Sequence, residues 1–145
     1  MTSVAIAGST GSIGKQTLEV IAASESGKYQ LVALSANSSA DEIIKQAKTF
    51  KPNLVVVNDE SARKIVAREL AATNPKIEVI ADIAAMAGIA DVVVNGVVGF
   101  AGLSVTIATL AAGKRLALCQ QRKFDRCWPS RCAVAKNIRC RNYPC

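Results

Sequence analysis

The 145 residues contain no histidine. That removes the commonest general base and metal ligand, and it excludes any Ser-His or Cys-His nucleophile arrangement. Cysteine is missing from the first 118 residues, and all five (Cys119, Cys127, Cys132, Cys140 and Cys145) lie in the last 27. Glycine is missing from that same tail, the last of nine being Gly113. The one uncharged stretch of membrane-span length, residues 92–113, is broken by Asn95 and four glycines, so no membrane span is read. No basic segment leads into an apolar run near the N-terminus, so no signal peptide or targeting segment is read. The expectation is one soluble domain of a cell's interior. Charge imbalance is also missing from most of the chain. The first 118 residues carry 11 basic and 10 acidic groups, whereas the tail carries Arg122, Lys123, Arg126, Arg131, Lys136, Arg139 and Arg141 against Asp125 alone. The sequence pI of 9.4 is therefore a property of the tail and says nothing about a partner of the body.

The tail itself excludes more than it offers. Its cysteines are separated by 7, 4, 7 and 4 residues, with no C-x-x-C pair, which disfavours a structural zinc site. A disulfide framework needs an oxidising compartment, and nothing upstream indicates one. Basic residues beside Phe124, Trp128 and Tyr143 suit nucleic acid in composition but form no recognised motif. Without glycine or a hydrophobic period, residues 119–145 are expected to be poorly ordered.

The body, by contrast, opens on a motif. The apolar run Val4-Ala5-Ile6-Ala7 leads into Gly8-Ser9-Thr10-Gly11-Ser12-Ile13-Gly14. A strand ending in closely spaced glycines lets backbone N–H groups approach a pyrophosphate, and the helix that follows presents its positive end. Gly8 is expected to make the tight turn, Gly11 to leave room for phosphate and Gly14 to let helix and strand pack closely. A glycine triplet alone is a weak signal. Here Lys15 to Ala22 continue at helical spacing, and a packing turn is the alternative.

Strand and helix patterns then alternate to Leu118. Strands are expected at Val4–Ala7, Tyr29–Ser35, Leu54–Val57, Ile77–Ile80, Asp91–Asn95 and Arg115–Leu118. Helices are expected at Ser12–Ala23, Asp41–Lys51, Asp59–Ala72 and Ala101–Ala112, with a short helical piece at Ile83–Met86. This spacing predicts βαβ units, and strands that are apolar without strict alternation predict a sheet covered on both faces. The fold class is α/β, a doubly wound, Rossmann-like parallel sheet. Ligands of such sheets lie beyond the carboxyl ends of the strands. That puts Thr10–Ile13, Ser35–Ser39, Asn58 and the Asn95–Gly102 loop on one rim.

Two further segments bear on the ligand. NAD sites usually place Asp or Glu at the end of the second strand, on the ribose 2′-hydroxyl. This chain has Ser35-Ala36-Asn37-Ser38-Ser39 there, small amide and hydroxyl groups that can accept a 2′-phosphate, so NADP is favoured over NAD; a polar turn with a helix cap is the bland alternative. Asn95-Gly96-Val97-Val98-Gly99-Phe100-Ala101-Gly102 reads equally as a cofactor-side loop or a structural turn. No convincing catalytic group stands out.

These residues resemble the N-terminus of 1-deoxy-D-xylulose 5-phosphate reductoisomerases. The resemblance rests on Val4 to Gly14, Thr17-Leu18-Glu19-Val20, Leu31 to Ala36, Val94 to Leu103 and Ala112 to Leu118, and it covers residues 1–118 in order. It implies an NADPH-dependent oxidoreductase, with a divalent metal (Mg2+ or Mn2+), that rearranges and reduces 1-deoxy-D-xylulose 5-phosphate to 2-C-methyl-D-erythritol 4-phosphate in non-mevalonate isoprene biosynthesis. It implies NADPH contacts at Thr10, Gly11, Ser12 and Ile13, with Asn37 the best match in the second-strand turn. It allows a homodimer of the intact enzyme, in a bacterial cytoplasm or a plastid stroma. A non-catalytic dinucleotide-binding module, or nucleic-acid binding through the tail, are the alternatives.

The likeness stops after Leu118. The family continues Ala-Asn-Lys-Glu-Ser-Leu, which the resemblance associates with cofactor and substrate contacts, where this chain has Cys119-Gln120-Gln121-Arg122-Lys123-Phe124. Cys119 to Phe124 can be written with the synonymous codons TGC CAA CAA AGA AAG TTT. Without the first base, they begin GCC AAC AAA GAA AGT TT, which restores Ala-Asn-Lys-Glu-Ser and opens Leu. Arg139–Cys145, written with suitable synonymous codons and shifted by one base, likewise gives Ala-Ala-Glu-Ile-Ile-Pro and the first bases of Val, followed in the family by Asp-Ser-Glu-His, whose Asp and Glu are the implied metal ligands. The expectation is a frameshift before codon 119. Residues 1–118 are then an NADPH-binding domain and residues 119–145 an out-of-frame tail. Gln120, Gln121 and Arg122 inherit no role, the metal ligands are absent, and the fragment is expected to be inactive.

Overall fold

The computed structural model describes residues 1–25 and 27–118. The expectations for residues 119–145, the poor order, the cysteine chemistry, the nucleic-acid alternative and the shifted frame, therefore lie outside the described residues. Along the chain run β1 (Thr2–Ala7), α1 (Ser12–Ala23), β2 (Tyr29–Ala36), α2 (Ala40–Phe50), β3 (Leu54–Val57) and α3 (Glu60–Thr73). Then come β4 (Glu78–Ile80), a 3-10 turn at Ile83–Ala85 running into α4 (Met86–Ile89), β5 (Val92–Asn95), α5 (Gly102–Ala111) and β6 (Arg115–Leu118). Among the described residues no helix is long and apolar enough to cross a membrane.

The strands form one sheet in the order β4-β3-β2-β1-β5-β6, parallel throughout. The chain steps outward from β1 to β4, then returns to the far side of β1 as β5. The winding reverses between β1 and β5, where open parallel sheets form their ligand crevice. Alternate side chains of each strand enter two cores. Ile6, Leu34 and Val55 pack with Leu18, Ile43, Val66 and Leu70 of α1, α2 and α3. Ala5, Val32, Val56 and Val93 pack with Met86 and Val105 of α4 and α5. With apolar contact on both faces, the strands have no solvent side to mark with polar residues.

Several element ends fall beside the expected ones, each for a local reason. Lys51 lies outside α2 in the left-handed region, φ 50°, because Pro52 disfavours a helical residue before it; its N–H still closes the helix on the Ala47 carbonyl at 2.9 Å. Asp59 caps α3 instead of joining it, its carboxylate accepting the Ala62 N–H at 2.8 Å. Gly113, at φ 66°, turns the chain after α5.

Asp91 precedes β5 and ties the amino ends of three strands together. Its carboxylate accepts the Ser3 hydroxyl at 2.6 Å and the Ser3 N–H at 3.1 Å, and Lys114 Nζ lies 3.8 Å away. Those Ser3 hydrogen bonds, with a smaller contribution from Lys114, hold the Asp91 carboxyl below its usual value.

Candidate functional site

The loop from β1 to α1 uses its three glycines differently. Gly8 has φ 79°, and an added Cβ would come within 3.2 Å of the Gly96 carbonyl carbon. This is a turn that only glycine makes without strain. At Gly14 a Cβ would overlap the Gly8 carbonyl oxygen and the Ser9 backbone, which gives the close helix–strand approach. At Gly11 a Cβ would meet only the Gly8 carbonyl oxygen, at an ordinary 3.5 Å. No atom of the described residues explains that glycine.

β2 fixes the start of the loop. The Gly8 N–H donates to Ser35 Oγ at 3.0 Å. The Ser9 N–H and hydroxyl both reach the Ser35 carbonyl, at 2.8 and 3.2 Å. The Gly11 N–H returns to the Gly8 carbonyl at 3.2 Å, and the first bond into α1 runs from the Lys15 N–H to the Gly11 carbonyl at 3.0 Å. Among the described residues, the N–H groups of Thr10, Ser12 and Ile13 meet no acceptor. The first turn of α1 also carries no acidic residue, although the positive end of a helix favours one. Open donors at a helix start with no acidic side chain in its first turn suit an anion.

The loop borders a cavity of about 530 Å³, a size suited to a small ligand. Thr10 and Gly11 form one wall, and Ser35, Ala36 and Asn37 form the next at the end of β2. Val56 and Asn58 come from β3 and its exit, and Ala81 and Ile83 follow β4. The β5–α5 segment closes the cavity with Gly96, Val97, Val98, Ala101 and Ser104. The expected rim is thus brought together. Thr10, Gly11 and Asn37 line the cavity, whereas Ser12 and Ile13 stand beside it in the first turn of α1. The Ile13 side chain is half-buried under Gly96, where a Cβ would come 3.3 Å from Ile13 Cβ, so Ile13 offers its N–H and not its side chain.

Asn37 is exposed. Its Oδ1 accepts from Asn58 Nδ2 at 3.3 Å, and its carbonyl accepts the Asp59 N–H at 3.0 Å. Among the described residues no lining residue is acidic or basic, so they supply the wall with neither a carboxylate for a ribose hydroxyl nor an ionisable acid–base pair. The loop after β5 serves as both structure and wall. Asn95, fully buried, donates through Nδ2 to the Gly102 carbonyl at 2.7 Å and to Thr106 Oγ1 at 2.8 Å. Its Oδ1 accepts the Val97 N–H at 3.1 Å. Among the described residues no group of three or more His, Cys, Asp or Glu side chains could hold a metal ion.

Sequence reasoning missed Ala81, Ile83 and Ser104, small or apolar residues that only the sheet order brings to the cavity. It passed over Gln46 of α2 as well, whose Nε2 donates to the Ser9 carbonyl at 3.1 Å.

Residues 4–122 match the family model described as 1-deoxy-D-xylulose 5-phosphate reductoisomerase, which carries the likeness to within a few residues of the departure after Leu118. The chloroplastic reductoisomerase of Oryza sativa subsp. japonica is 41% identical over 123 residues, covering 81% of this chain and 26% of the relative. The Zymomonas mobilis reductoisomerase, solved in complex with NADPH, superposes with a TM-score of 0.77 at 30% identity, over 85% of this chain and 33% of that one. A DOX-P reductoisomerase solved with NADPH, fosmidomycin and magnesium gives a TM-score of 0.75 at 30% identity, over 80% of this chain and 29% of that one. The chain spans a third or less of the length of these relatives.

Proposed function

The chain belongs to the 1-deoxy-D-xylulose 5-phosphate reductoisomerase family, and from that premise we propose that its described residues form the NADPH-binding part of such an enzyme. The observation that carries this is the set of open Thr10, Ser12 and Ile13 N–H groups beside Gly11, a glycine that no atom of the described residues requires. They receive the pyrophosphate, with Thr10 and Gly11 at the cavity wall. Asn37, with Asn58 behind it and no carboxylate in the wall, receives the 2′-phosphate end, and the apolar β5–α5 segment takes the more distal part of the dinucleotide. When bound, NADPH supplies the hydride for reduction. A complex of a family member with NADPH supports this reading.

For the intact enzyme we propose the family reaction, in which the carbon skeleton of 1-deoxy-D-xylulose 5-phosphate is rearranged and the resulting aldehyde reduced by NADPH. The divalent metal that the family likeness implies finds no ligand cluster among the described residues. The 145-residue chain binds the dinucleotide without turning over the sugar phosphate.

Fluorescence titration with NADPH and NADH tests this reading. NADPH is expected to bind at least about tenfold more tightly, a difference of ~1.4 kcal/mol. Equal affinities would refute the 2′-phosphate assignment, and no binding of either would overturn the whole proposal. NADPH oxidation with the sugar phosphate would refute the claim that this chain does not turn over.

A further inference from the structure

The carbonyl of Ser9 has two possible partners. Helix periodicity would pair it with the N–H of Ile13, four residues on, and so extend α1 back into the glycine loop. It is bonded instead to Gln46 Nε2 of α2, at 3.1 Å. Ser9 is fully buried, with its N–H and hydroxyl already held by the Ser35 carbonyl, so Gln46 takes its last polar group. The Ile13 N–H is left without an acceptor among the described residues. One turn before Gln46, Glu42 Oε1 holds Lys15 Nζ at 2.6 Å, so the same face of α2 grips α1 just after its start. Gln46 makes this bond although its Oε1 is buried with no partner among the described residues, and an unpaired buried acceptor is unfavourable.

We propose that Gln46 is a positioning residue for dinucleotide binding: by occupying the Ser9 carbonyl from α2, it stops α1 from closing on itself and keeps the Ile13 N–H open for the pyrophosphate. This rests on the proposed NADPH site. Gln46 touches no ligand and acts only through the loop. Its chemistry is specific, since the side chain must donate a hydrogen bond. Methionine fills a similar volume without a donor, and an ionised glutamate presents acceptors to an acceptor.

The test uses the 145-residue chain with Gln46→Met and Gln46→Glu, reading NADP+ affinity by calorimetry and thermal unfolding in parallel. Gln46→Met is expected to bind about tenfold more weakly with its melting temperature essentially unchanged, because the Ile13 N–H takes over the freed Ser9 carbonyl. Gln46→Glu is expected to bind weakly at pH 8 and to recover, relative to the unsubstituted chain at the same pH, as the carboxyl protonates and donates. That recovery separates a positioning role from a structural one, and it remains decisive if Gln46→Met folds poorly. Unsubstituted chain that binds while Gln46→Met binds equally well, or a Gln46→Glu ratio that does not change with pH, would overturn the proposal. Failure of the unsubstituted chain to bind NADP+ would strike the NADPH site itself, and this inference with it.

Discussion

At Gly14 any side chain would be driven into the Gly8 carbonyl and the Ser9 backbone, and neither can yield without moving the loop. Gly14→Ala is therefore expected to lower the unfolding free energy by about 3 kcal/mol and to abolish NADPH binding, as read by urea denaturation and titration. Asp91 makes a prediction of a different kind. Hydrogen bonds from Ser3 depress its folded-state pKa, so the ionised carboxylate contributes stability above its unfolded value of about 3.9. That contribution is lost as pH falls through the lower folded value. Asp91→Asn, which resembles the protonated acid, is expected to be less stable than the unsubstituted chain at neutral pH. The gap between their urea midpoints should close as pH drops below 4, and a gap independent of pH would contradict the assignment. At this scale the glycine loop was legible because its flanks, an apolar strand and a helical period, are local in sequence. Ser35 was partly legible as a polar residue in an apolar strand. Gln46 was not, since nothing in the period of α2 says that its side chain reaches across to Ser9.

The elements repeat that division. Leu54–Val57 and Ser12–Ala23 match their expected ends because Pro52 and Asp59 bracket the first and glycines open the second. Ends misread by a residue or two, such as Asp59 and Lys51, are caps whose backbone leaves the helix while their bonds still serve it. The β5–α5 connection illustrates what sequence leaves open: its glycines fit a turn or a ligand wall, and the structure makes it both. Asn95 decides this by anchoring Gly102, Thr106 and Val97 around one buried amide. Asn95→Ala would remove the buried amide that accepts the Val97 N–H and donates to the Gly102 carbonyl and the Thr106 hydroxyl. Chemical denaturation should register a loss of about 2 to 3 kcal/mol, with weaker NADPH binding because Gly96 and Val97 shift; unchanged stability would refute this role for the amide.

Across the whole molecule, the sheet order carries the function. It reverses between β1 and β5, and the ends of β1, β2, β3 and β5 converge on one cavity. Strand-helix alternation made that architecture legible, but not which small residues would line the cavity, because Ala81 and Ser104 carry no chemical signature. The abrupt change of composition after Leu118 has its own test. Sequencing the coding DNA across codons 116–122 is expected to show the family motif in the neighbouring frame, and its absence there would refute the shifted-frame reading.

The central claim is that Gly11 is a glycine for the ligand's sake. Alanine is free to adopt its backbone, φ −78° and ψ 170°, and would meet no atom of the described residues closer than 3.5 Å. The decisive measurement is therefore NADPH affinity of Gly11→Ala beside its melting temperature. The expected result is an unchanged melting temperature with affinity reduced at least about tenfold, ~1.4 kcal/mol. Unchanged affinity in a stably folded Gly11→Ala chain would contradict the site.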